Sequence, residues 1–599
     1  MQRAWLGSVA ALPLLLVAAP VRAQVSATAG AGSLGSLVNG VAGGSCSSGL
    51  CVVGGGTAAG ANLFHRLDAL NTQGAISGVR FDNAAFQNLI VGVTNPYGSV
   101  IDKVVSLSNP ANFVLLSPGG IHLGPGAGFV GIQQLGLSTA TRMAMTGGGS
   151  FDVFSTTAQQ AAAMAGAPLL GASSLQVDDA ARSAAGISGV PGIVAQGISI
   201  SIDRDLLIDA VDGTAQLSGS QLAVLPWQGV GGSLSVLGRE VLVDGASRLL
   251  ATGPAGGGLI QLGGSWQNSN PQVRQALRTA FGTEALADAS ATERGNGGTV
   301  VVWSEITKPE GSTTAIGSLV AKGGGQGGDG GRIETSGYVL RVDGIHIDAK
   351  ASWGRGGEWL IDPNNITISS GPASGSPSYS SSFTAASTST ILASDIAVSL
   401  NQGTSVSINT GSLGNDAGNI SVTAPIVKTG GSAANLVLTA AGKIDISAAI
   451  GNTDTNNLLT LVLDSGAGSG TVSGILSGNL ALNKSGVGTL VLSGTNTYTG
   501  GTGLSAGTLA ISNASALGAT AVGTTVGSAA TLDLQGVAVG AEPITLEGAT
   551  LKTSTGTSSL SGAVTLAANS AVLNESGTQL TLSGVVSGGY GITKSGSGT

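Results

Sequence analysis

Glycine constrains this chain more than any other residue, because it accounts for 100 of the 599 positions. Glycine at this density opposes long helices. The 17 prolines, without a three-residue glycine period, are too few for a collagen triple helix. Apolar residues make up 42 % of the chain and charged residues only 9 %, which is the reverse of a disordered composition. We therefore expect an all-β protein of many short strands joined by tight glycine turns.

Pairs of glycines precede apolar segments at intervals that suit a solenoid. The second glycines of these pairs are Gly232, Gly258, Gly298, Gly331 and Gly357, so that successive pairs lie 26, 40, 33 and 26 positions apart. A coil of this length cannot bury its apolar face alone, so successive coils are expected to stack. The sequence predicts a right-handed parallel β-helix, a pectin-lyase-like solenoid, with an amino-terminal cap. An array of β-sandwiches is the alternative fold.

The first 23 residues have the pattern of an export signal. Arg3 precedes an apolar segment over 4–19, and small residues follow that segment. This pattern predicts a secretory signal peptide that is cleaved between Ala23 and Gln24. A membrane anchor is the alternative, but prolines interrupt the apolar segment and it is short for a membrane span.

Export would place the only two cysteines, Cys46 and Cys51, in an oxidising compartment. Two cysteines without neighbouring histidines are too few for a metal site, so we expect a disulfide. Closing so small a loop contributes only about 2 kcal/mol, which indicates a local role at the edge of the cap. Two free thiols are the alternative.

Composition divides the exported chain into segments. A stretch rich in Ser, Gly and Pro over 369–390 is the clearest boundary. From 365 to the last residue there is no Arg, His, Cys, Trp or Met. The predicted segments are therefore 1–23, 24–150, 151–368, 369–390 and 391–599. Within 151–368, short helices are expected over 158–165 and from Asn270 to Gly282.

The last segment contains an internal repeat. The sequence of 483–489 recurs 110 positions later, at 593–599, and both copies place a lysine, Lys484 or Lys594, before Ser-Gly. The second copy stops where a strand follows in the first. Because an open strand edge rarely ends a natural protein, we expect the sequence to be part of a longer chain.

Several blocks of sequence resemble a known family. The segments 62–65, 95–98 and 112–127 are similar to the two-partner-secretion domain, or haemagglutination-activity domain, that opens filamentous haemagglutinins and related exoproteins. The residues that carry this resemblance are Asn62, Leu63, Phe64, Asn95, Pro96, Gly98, Asn112, Pro118, Gly120, Ile121 and Gly124. Ser117 and Gly119 replace the two asparagines of the family's usual Asn-Pro-Asn-Gly-Ile.

A second resemblance lies in the last segment. Residues 488–502, within 484–518, look like the autotransporter-associated β-strand repeat. Residues 594–599 resemble a truncated second copy of it.

These resemblances imply a secreted or surface-exposed exoprotein of a Gram-negative bacterium, exported through the periplasm and the outer membrane. A partner translocator, an outer-membrane barrel with POTRA domains, would recognise the amino-terminal domain. The β-helical rod would then mediate adhesion to a host, bacterial or other surface receptor. Two alternatives remain open: a delivery stalk for a contact-dependent toxin or haemolysin, and the passenger of a single-chain autotransporter.

Catalytic patterns are weak in this sequence. Residues 503–507 have the pattern of a nucleophile elbow, but an elbow lies between a strand and a helix and needs a histidine, and none follows His346. Residues 324–329 partly match a calcium-binding nonapeptide, for which a corner turn is the favoured interpretation. A β-helix lyase site built on the acids of 203–205 is the remaining enzymatic possibility; a solvated turn is favoured. We therefore expect no enzyme and no cofactor.

The remaining titratable residues exclude two further classes of site. His65, His122 and His346 share no metal-type spacing. The net charge is −8 and the pI about 4.9, and there is no basic patch, so no nucleic-acid partner is expected.

Overall fold

The chain forms a parallel β-helix, as the glycine pattern predicts. In the computed structural model, which describes residues 24–156, 161–371, 389–411 and 417–599, strands of successive coils pair in parallel and build three long faces. This pairing across consecutive coils excludes an array of β-sandwiches. The predicted signal peptide and Ala23 lie outside the described residues, and Gln24 is the first described residue.

Face 1 is one continuous parallel ladder that runs the length of the rod. Its strands are Asn62–Asn71, Asn88–Val93, Val104–Leu116, Gly128–Ser138, Asp205–Ser218, Ser233–Asp244, Leu259–Leu262, Thr299–Trp303, Arg332–Ser336, Glu358–Asp362, Ser405–Thr410, Ala434–Ala440, Leu459–Ser465, Leu480–Ser485, Thr502–Ile511, Thr524–Gln535, Ile544–Glu547, Val564–Ala568 and Val586–Ser587.

Face 2 lies beside face 1, and the longest face 1 strands bend at a corner and continue into it. For example, Asp205–Ser218 pairs with Ser233–Asp244 on both faces. The strands that belong to face 2 alone are Ser99–Ile101, Ile121–Leu123, Ile193–Gln196, Arg278–Phe281, Ser312–Ala315, Val339–Arg341, Ile366–Ser369, Ser389–Leu392, Ile420–Val422, Ile444–Ile446, Gly470–Val472, Thr489–Leu492, Thr550–Thr555, Ser570–Asn574 and Ile592–Ser595.

Face 3 is divided into shorter sheets. Its strands are Gly49–Gly55, Ile76–Phe81, Ser199–Ile202, Gln221–Val224, Arg248–Leu250, Leu286–Asp288, Ser318–Val320, His346–Asp348, Ile426–Lys428, Ile450–Asn452, Leu476–Gly478, Thr497–Tyr498, Ala538–Val539, Thr557–Leu560 and Gln579–Leu582. The first two pair with each other, and their ladder continues through the first halves of Val104–Leu116 and Gly128–Ser138.

Two groups of antiparallel strands lie outside this regular pattern. Those of the cap are Gln24–Ala27, Ser36–Val38, Val41–Ala42, Ser45–Cys46 and Thr57–Ala59. A second group, Arg142–Ala144, Ser150–Asp152 and Leu175–Gln176, forms a small sheet within an excursion over 139–192. We call this segment the excursion. It also contains the helices Ala161–Met164 and Asp179–Ala184.

The interior holds one hydrophobic core that extends from Val25 to Val572. Strands such as Leu459–Ser465 alternate buried and partly exposed residues, so every second side chain points inward. On face 1, paired residues of successive coils are 26, 40, 33 and 26 positions apart from Leu234 to Trp359, which matches the glycine spacing. In the last coils the face 1 step falls to between 20 and 22 positions.

The rod continues across the predicted boundary at 369–390, whose central residues lie outside the described part of the chain. Ser389–Leu392 pairs with Ile366–Ser369 on one side and with Val339–Arg341 on the other, so the chain turns back before it advances. The helix Ala393–Asn401 then takes the place of a face 3 strand, between His346–Asp348 and Ile426–Lys428.

The helix predicted from Asn270 to Gly282 is wrong. A 3-10 turn covers Trp266–Asn268, and the Asn270 side chain accepts a hydrogen bond from the Gln272 N–H, which closes a turn instead of capping a helix. Arg278–Phe281 is a face 2 strand, because ladder pairing on both sides outweighs its local helix propensity. Of the other predicted helix, Ala161–Met164 is helical, and residues 157–160 are outside the described part. No helix among the described residues is long and apolar enough to cross a membrane.

Candidate functional site

An asparagine ladder joins the first coils of face 1. Asn62, Asn88 and Asn112 occupy paired positions on three successive strands. The Asn88 side-chain N–H donates to the Asn62 Oδ1 at 2.8 Å, and the Asn112 side-chain N–H donates to the Asn88 Oδ1 at 2.8 Å. Beyond Asn112, the Arg204 guanidinium donates to the Asn112 Oδ1 at 3.4 Å and to the Gln133 Oε1 at 2.7 Å. Arg204 thus extends the ladder to the next two coils of face 1.

The same ladder holds the excursion against the rod. The Asn62 side-chain N–H also donates to the carbonyl oxygens of Met164 and Gly166 at 2.8 and 2.7 Å. Leu63 points into the main core, whereas Phe64 points outward and packs against Phe151 of the excursion with ring centroids 5.2 Å apart. From consecutive positions, Asn62 and Phe64 thus contact the excursion and Leu63 packs in the main core.

The excursion has its own hydrophobic core, which forms on the outer surface of face 1. Its members from face 1 are Phe64, Ile90, Val114, Leu116 and Val211, those from the excursion are Ala140, Met143, Met145, Phe151, Val153, Met164 and Leu175, and the cap adds Leu34 and Ala59. Burial of this size gives a stable ledge on the rod, because each fully buried large side chain contributes about 1.5–3 kcal/mol.

Two tight turns stack at the corner between faces 1 and 2. The first is 95–98, in which the Gly98 N–H donates to the Asn95 carbonyl at 3.0 Å; the second is 117–120, in which the Gly120 N–H donates to the Ser117 carbonyl at 2.9 Å. Pro96 and Pro118 occupy the second position of each turn, which proline favours. A Cβ on Gly98, whose φ is +79°, would lie 2.3 Å from the Gly120 carbonyl oxygen.

The residues that follow these turns fix them to the next coils. The Ser99 N–H donates to the Gly120 carbonyl at 2.9 Å, and the Ser99 hydroxyl donates to the Ser117 hydroxyl at 2.9 Å. Ile121 begins a face 2 strand with its side chain in the core. A Cβ on Gly124 would lie 2.5 Å from the Asp102 Oδ1. Ser117 thus joins the two turns, because its hydroxyl accepts from Ser99 and donates to the Gly120 carbonyl at 2.8 Å.

The cap is closed by a disulfide and by one buried arginine. Cys46 and Cys51 are joined by a disulfide with their Cα atoms 5.7 Å apart. The Arg66 guanidinium donates to the carbonyls of Gly32, Ser155 and Asp152, and so connects the cap to the excursion. Burial is the largest influence on Arg66 and lowers its pKa.

His65 packs inside the cap. Its Nδ1 lies 3.1 Å from the Ser36 hydroxyl, and its ring stands 5.7 Å from that of Phe81. Burial lowers the pKa of His65 to about 4, so the imidazole is neutral at physiological pH. His65 therefore acts as a packing residue of the cap.

An ion pair fixes the far side of the excursion. The Arg274 Nε lies 2.9 Å from the Asp209 Oδ1, and another guanidinium N–H donates to the Leu175 carbonyl at 2.9 Å. Burial raises the pKa of Asp209, and Arg274 opposes that effect. One arginine from a later coil thus holds an acid of face 1 and a strand of the excursion together.

The residues of the weak catalytic and calcium-binding patterns make structural contacts. Residues 503–507 lie within the strand Thr502–Ile511, where the Ser505 hydroxyl donates to the Lys484 carbonyl at 3.3 Å. Residues 324–329 form a corner, and the Asp329 Oδ1 accepts from the Arg355 N–H at 2.8 Å. Asp205 accepts a hydrogen bond from the Gln134 side chain. Across 24–156, 161–371, 389–411 and 417–599, no group of three His, Cys, Asp or Glu residues could hold a metal ion.

Sequence reasoning identified the ends of the asparagine ladder but not its other members. The ladder is completed by Asn88 and Arg204, and the excursion is held by Arg66 and Arg274. None of these four contacts was predicted from the sequence. Asn88 had a usable signal, since it lies 26 positions after Asn62 and 24 before Asn112, which is one coil in each direction.

Comparison with known proteins places one repeat of the rod in a described family. Residues 482–511 match the Passenger-associated-transport-repeat, which confirms the autotransporter-associated repeat predicted near 484–518. In the structure this segment runs from the strand Leu480–Ser485 to the strand Thr502–Ile511, one turn of the rod.

The chain is also similar to a curated protein, "Adhesin BmaC autotransporter" of Brucella suis biovar 1 (strain 1330). The two are 34 % identical over 118 residues, which is 20 % of this chain and 3 % of the relative. The match therefore spans only a small part of that protein's length. Both comparisons support an autotransporter-type passenger.

Proposed function

We propose that this chain is the passenger rod of an adhesin displayed on, or released from, the surface of a Gram-negative bacterium. The observation that carries the proposal is the passenger repeat at 482–511, which is an integral coil of a continuous β-helix. The similarity to an adhesin autotransporter supports it. The rod acts by exposing a long lateral surface for binding, with no catalytic step.

Surface display and adhesion are tested in the native bacterium with an antibody against the rod. Intact cells should bind the antibody, and external protease should remove the signal while a periplasmic protein stays protected. A strain that lacks the gene should adhere less to a surface that the wild type colonises, and the gene on a plasmid should restore adhesion. A rod found only in the periplasm, or unchanged adhesion in the deletion strain, would contradict the proposal.

For export we propose that the first coils are recognised by an outer-membrane partner barrel with POTRA domains, as in two-partner secretion. The asparagine ladder, the stacked turns at 95–98 and 117–120 and the excursion support this, because they give the early coils a distinctive outer surface. Export as a single-chain autotransporter is the competing route, and the passenger repeat favours it.

The two routes are separated by replacing the exposed Tyr97 with alanine at the tip of the first turn, alone and with Pro96→Ala and Pro118→Ala. Tyr97 is 65 % exposed, so its removal leaves the core intact. Partner recognition predicts periplasmic accumulation of these variants with normal synthesis. Tyr590→Ala, at 53 % exposure in the last coil, is the matched control and should be exported normally. Normal export of all variants would favour the single-chain route.

A further inference from the structure

The double glycines build a ridge of stacked loops along one edge of the rod. The loops lie at 225–232, 251–258, 289–298, 321–331 and 349–357, where each coil passes from face 3 to face 1. Each glycine pair fits against the next: a Cβ on Gly298 would lie 1.9 Å from the Gly258 carbonyl oxygen, and one on Gly331 would lie 2.1 Å from that of Gly298. Because no side chain fits there, successive coils approach each other closely along this edge. We call this feature the glycine ridge.

A polar groove of about 370 Å³ opens on the glycine ridge. Its lining contains ammonium, carboxylate and hydroxyl groups from four successive coils: Thr252, Asp288, Ser290, Thr292, Lys322 and Lys350. The coils are in register, because the Lys322 N–H donates to the Ser290 hydroxyl at 3.0 Å and the Gly323 N–H donates to the Lys350 carbonyl at 3.0 Å. Equivalent polar side chains therefore repeat about every 4.8 Å along the rod.

An immobilised tryptophan stands at the mouth of this groove. Trp353 is 78 % exposed, yet its indole N–H donates to the carbonyl of Gly325, a groove residue, at 2.9 Å. The edge of the ring is thus fixed while its face is open to solvent. A rigid tryptophan offers a large contact area at little entropic cost, which is why such residues dominate binding energy at interfaces.

A second exposed tryptophan lies at the other end of the glycine ridge. Trp227, 55 % exposed, sits at a tight turn in which Gln228 and Gly229 both have positive φ, and the Arg204 guanidinium lies 5.2 Å from its ring. It is four coils before Trp353, a separation of ~19 Å at the usual strand spacing. The two rings and the groove between them form one extended track.

The charges of the groove favour a neutral ligand. Lys350 is within 3.4 Å of the Asp348 carboxylate, and Lys322 stands on the coil between Asp288 and Asp348. The two ammonium groups are thus balanced locally by two carboxylates, and the whole chain carries a net charge of −8. A polyanion would gain little here, whereas a ligand rich in hydroxyl groups can both donate to the carboxylates and accept from the ammonium groups.

We infer that the glycine ridge binds an extended neutral polysaccharide. Trp353 and Trp227 pack against sugar rings, and the groove side chains hydrogen-bond ring hydroxyls between them. The inference deepens the proposed adhesin function, on which it rests, by naming the class of ligand.

The test measures binding of the purified chain to soluble mannan, galactan, β-glucan and dextran, with heparin for comparison. At least one neutral polymer should bind, with an affinity that changes little between low and high salt. Trp353→Ala should weaken binding about tenfold or more, Trp353→Phe much less, and Lys322→Met by an intermediate amount. Lys443→Met, which removes a half-exposed lysine far along the rod, is the matched control and should bind normally.

The two tryptophans at opposite ends of the glycine ridge allow a second test, which compares a long ligand with a short one. Trp227→Ala should weaken binding of the long polymer, because a polymer bound in the groove makes its second contact, at Trp227, at high effective concentration. The affinity for a short oligosaccharide that fits only the groove should not change. Binding by heparin alone, lost at high salt, or no binding by any polymer would overturn the inference. If the bacterium still adheres through the rod in that case, the adhesin function stands and only the ligand class is wrong.

Discussion

The coils before and after the junction at 366–401 share three faces but are stabilised differently. Before it, contacts such as Asn62–Met164, Arg66–Asp152 and Arg274–Asp209 join segments far apart in sequence, and the steps between coils are long and uneven. After it, the steps shorten until the last coils advance by only 20 to 22 positions on face 1, and interior side chains stack in register. The early coils therefore differ from one another in length and contacts, whereas the late coils repeat one arrangement.

Lysines at strand ends show how the later coils close their corners. The Lys484 ammonium donates to the carbonyls of Ser485, Gly486 and Ala506. Lys428 and Lys594 likewise bind the carbonyls of glycines that follow them closely in sequence. Lys428, Lys484 and Lys594 lie at or next to the ends of strands on faces 3, 1 and 2 respectively. The Lys-Ser/Thr-Gly segment is thus a corner that can be used on any face.

The largest predicted effect concerns glycines packed against the preceding coil, which occur on both sides of the junction. Gly298→Ala before the junction and Gly562→Ala after it would each place a Cβ 1.9 Å from a backbone carbonyl of the preceding coil. Because the stacked coils leave no room for the added methyl group, each change should cost roughly 4 kcal/mol locally. Hydrogen exchange of the surrounding coils measures this, with Gly325→Ala, which meets nothing within 4 Å, as the control. Equal protection in Gly298→Ala and the wild type would contradict the stacking.

The next largest effect, from loss of the Arg274–Asp209 ion pair, should be confined to the coils before the junction. Arg274→Met leaves the Asp209 carboxylate buried without its cation, at a cost of about 3 kcal/mol. Exchange should rise in the excursion, because the bond to the Leu175 carbonyl is lost as well. The double variant Asp209→Leu/Arg274→Met is the control and should recover part of the loss. If coils after the junction loosen equally, the two parts are coupled more tightly than their contacts indicate.

The difference between the two parts also decides what the sequence could predict. The double glycines indicated the solenoid and even its uneven steps, because a corner without space for a Cβ leaves a local mark in the sequence. The excursion and the strand Ser389–Leu392 depend on long-range pairing, which local patterns do not encode. The ladder position Asn88 is marked only by its spacing of one coil from Asn62 and from Asn112.

The internal repeat illustrates the same limit. Following the face 1 ladder from Leu482 coil by coil leads to Val586, whereas the repeat places Ile592, on face 2, at the position equivalent to Leu482. The repeat therefore does not advance by a whole number of coils, which its sequence alone did not show. The Trp353 groove left no local signal either, because its polar groups come from four coils. Sequence alone thus predicted corners well and assembled surfaces poorly.

The pH dependence should be greatest where the turn Trp266–Asn268 meets face 1. Glu334 is fully buried, accepts hydrogen bonds from the Gln267 N–H and the Ser336 hydroxyl, and has its pKa raised by burial to about 7; nearby Asp362 has its pKa raised to about 7 in the same way. The folded chain then keeps these protons at a pH where the unfolded chain has released them. Stability is therefore fully present below about pH 4 and is lost as the pH rises to about 7.

For Glu334 alone this loss is on the order of 3 kcal/mol. The variant Glu334→Gln should flatten the pH dependence of exchange around Trp266–Asn268, while Glu358→Gln on the next coil, which is partly exposed, should leave it in place. After the junction, Glu542, whose pKa burial also raises to about 7, predicts a smaller loss of the same sign. Stability that rises from pH 4 to 7 around Trp266–Asn268 would show that these acids are ionised in the folded chain.

The smallest effect should be confined to the cap. Removing the disulfide with Cys46→Ala and Cys51→Ala should cost about 2 kcal/mol, because a bridge across so short a loop restricts the unfolded chain little. Exchange should increase over the strands Ser36–Val38 and Gly49–Gly55, and chemical reduction of the wild type should produce the same pattern. In a rod whose coils contact only their neighbours, this loss fades within a few coils. Increased exchange beyond the junction would instead mean that the cap sets the stability of the whole rod.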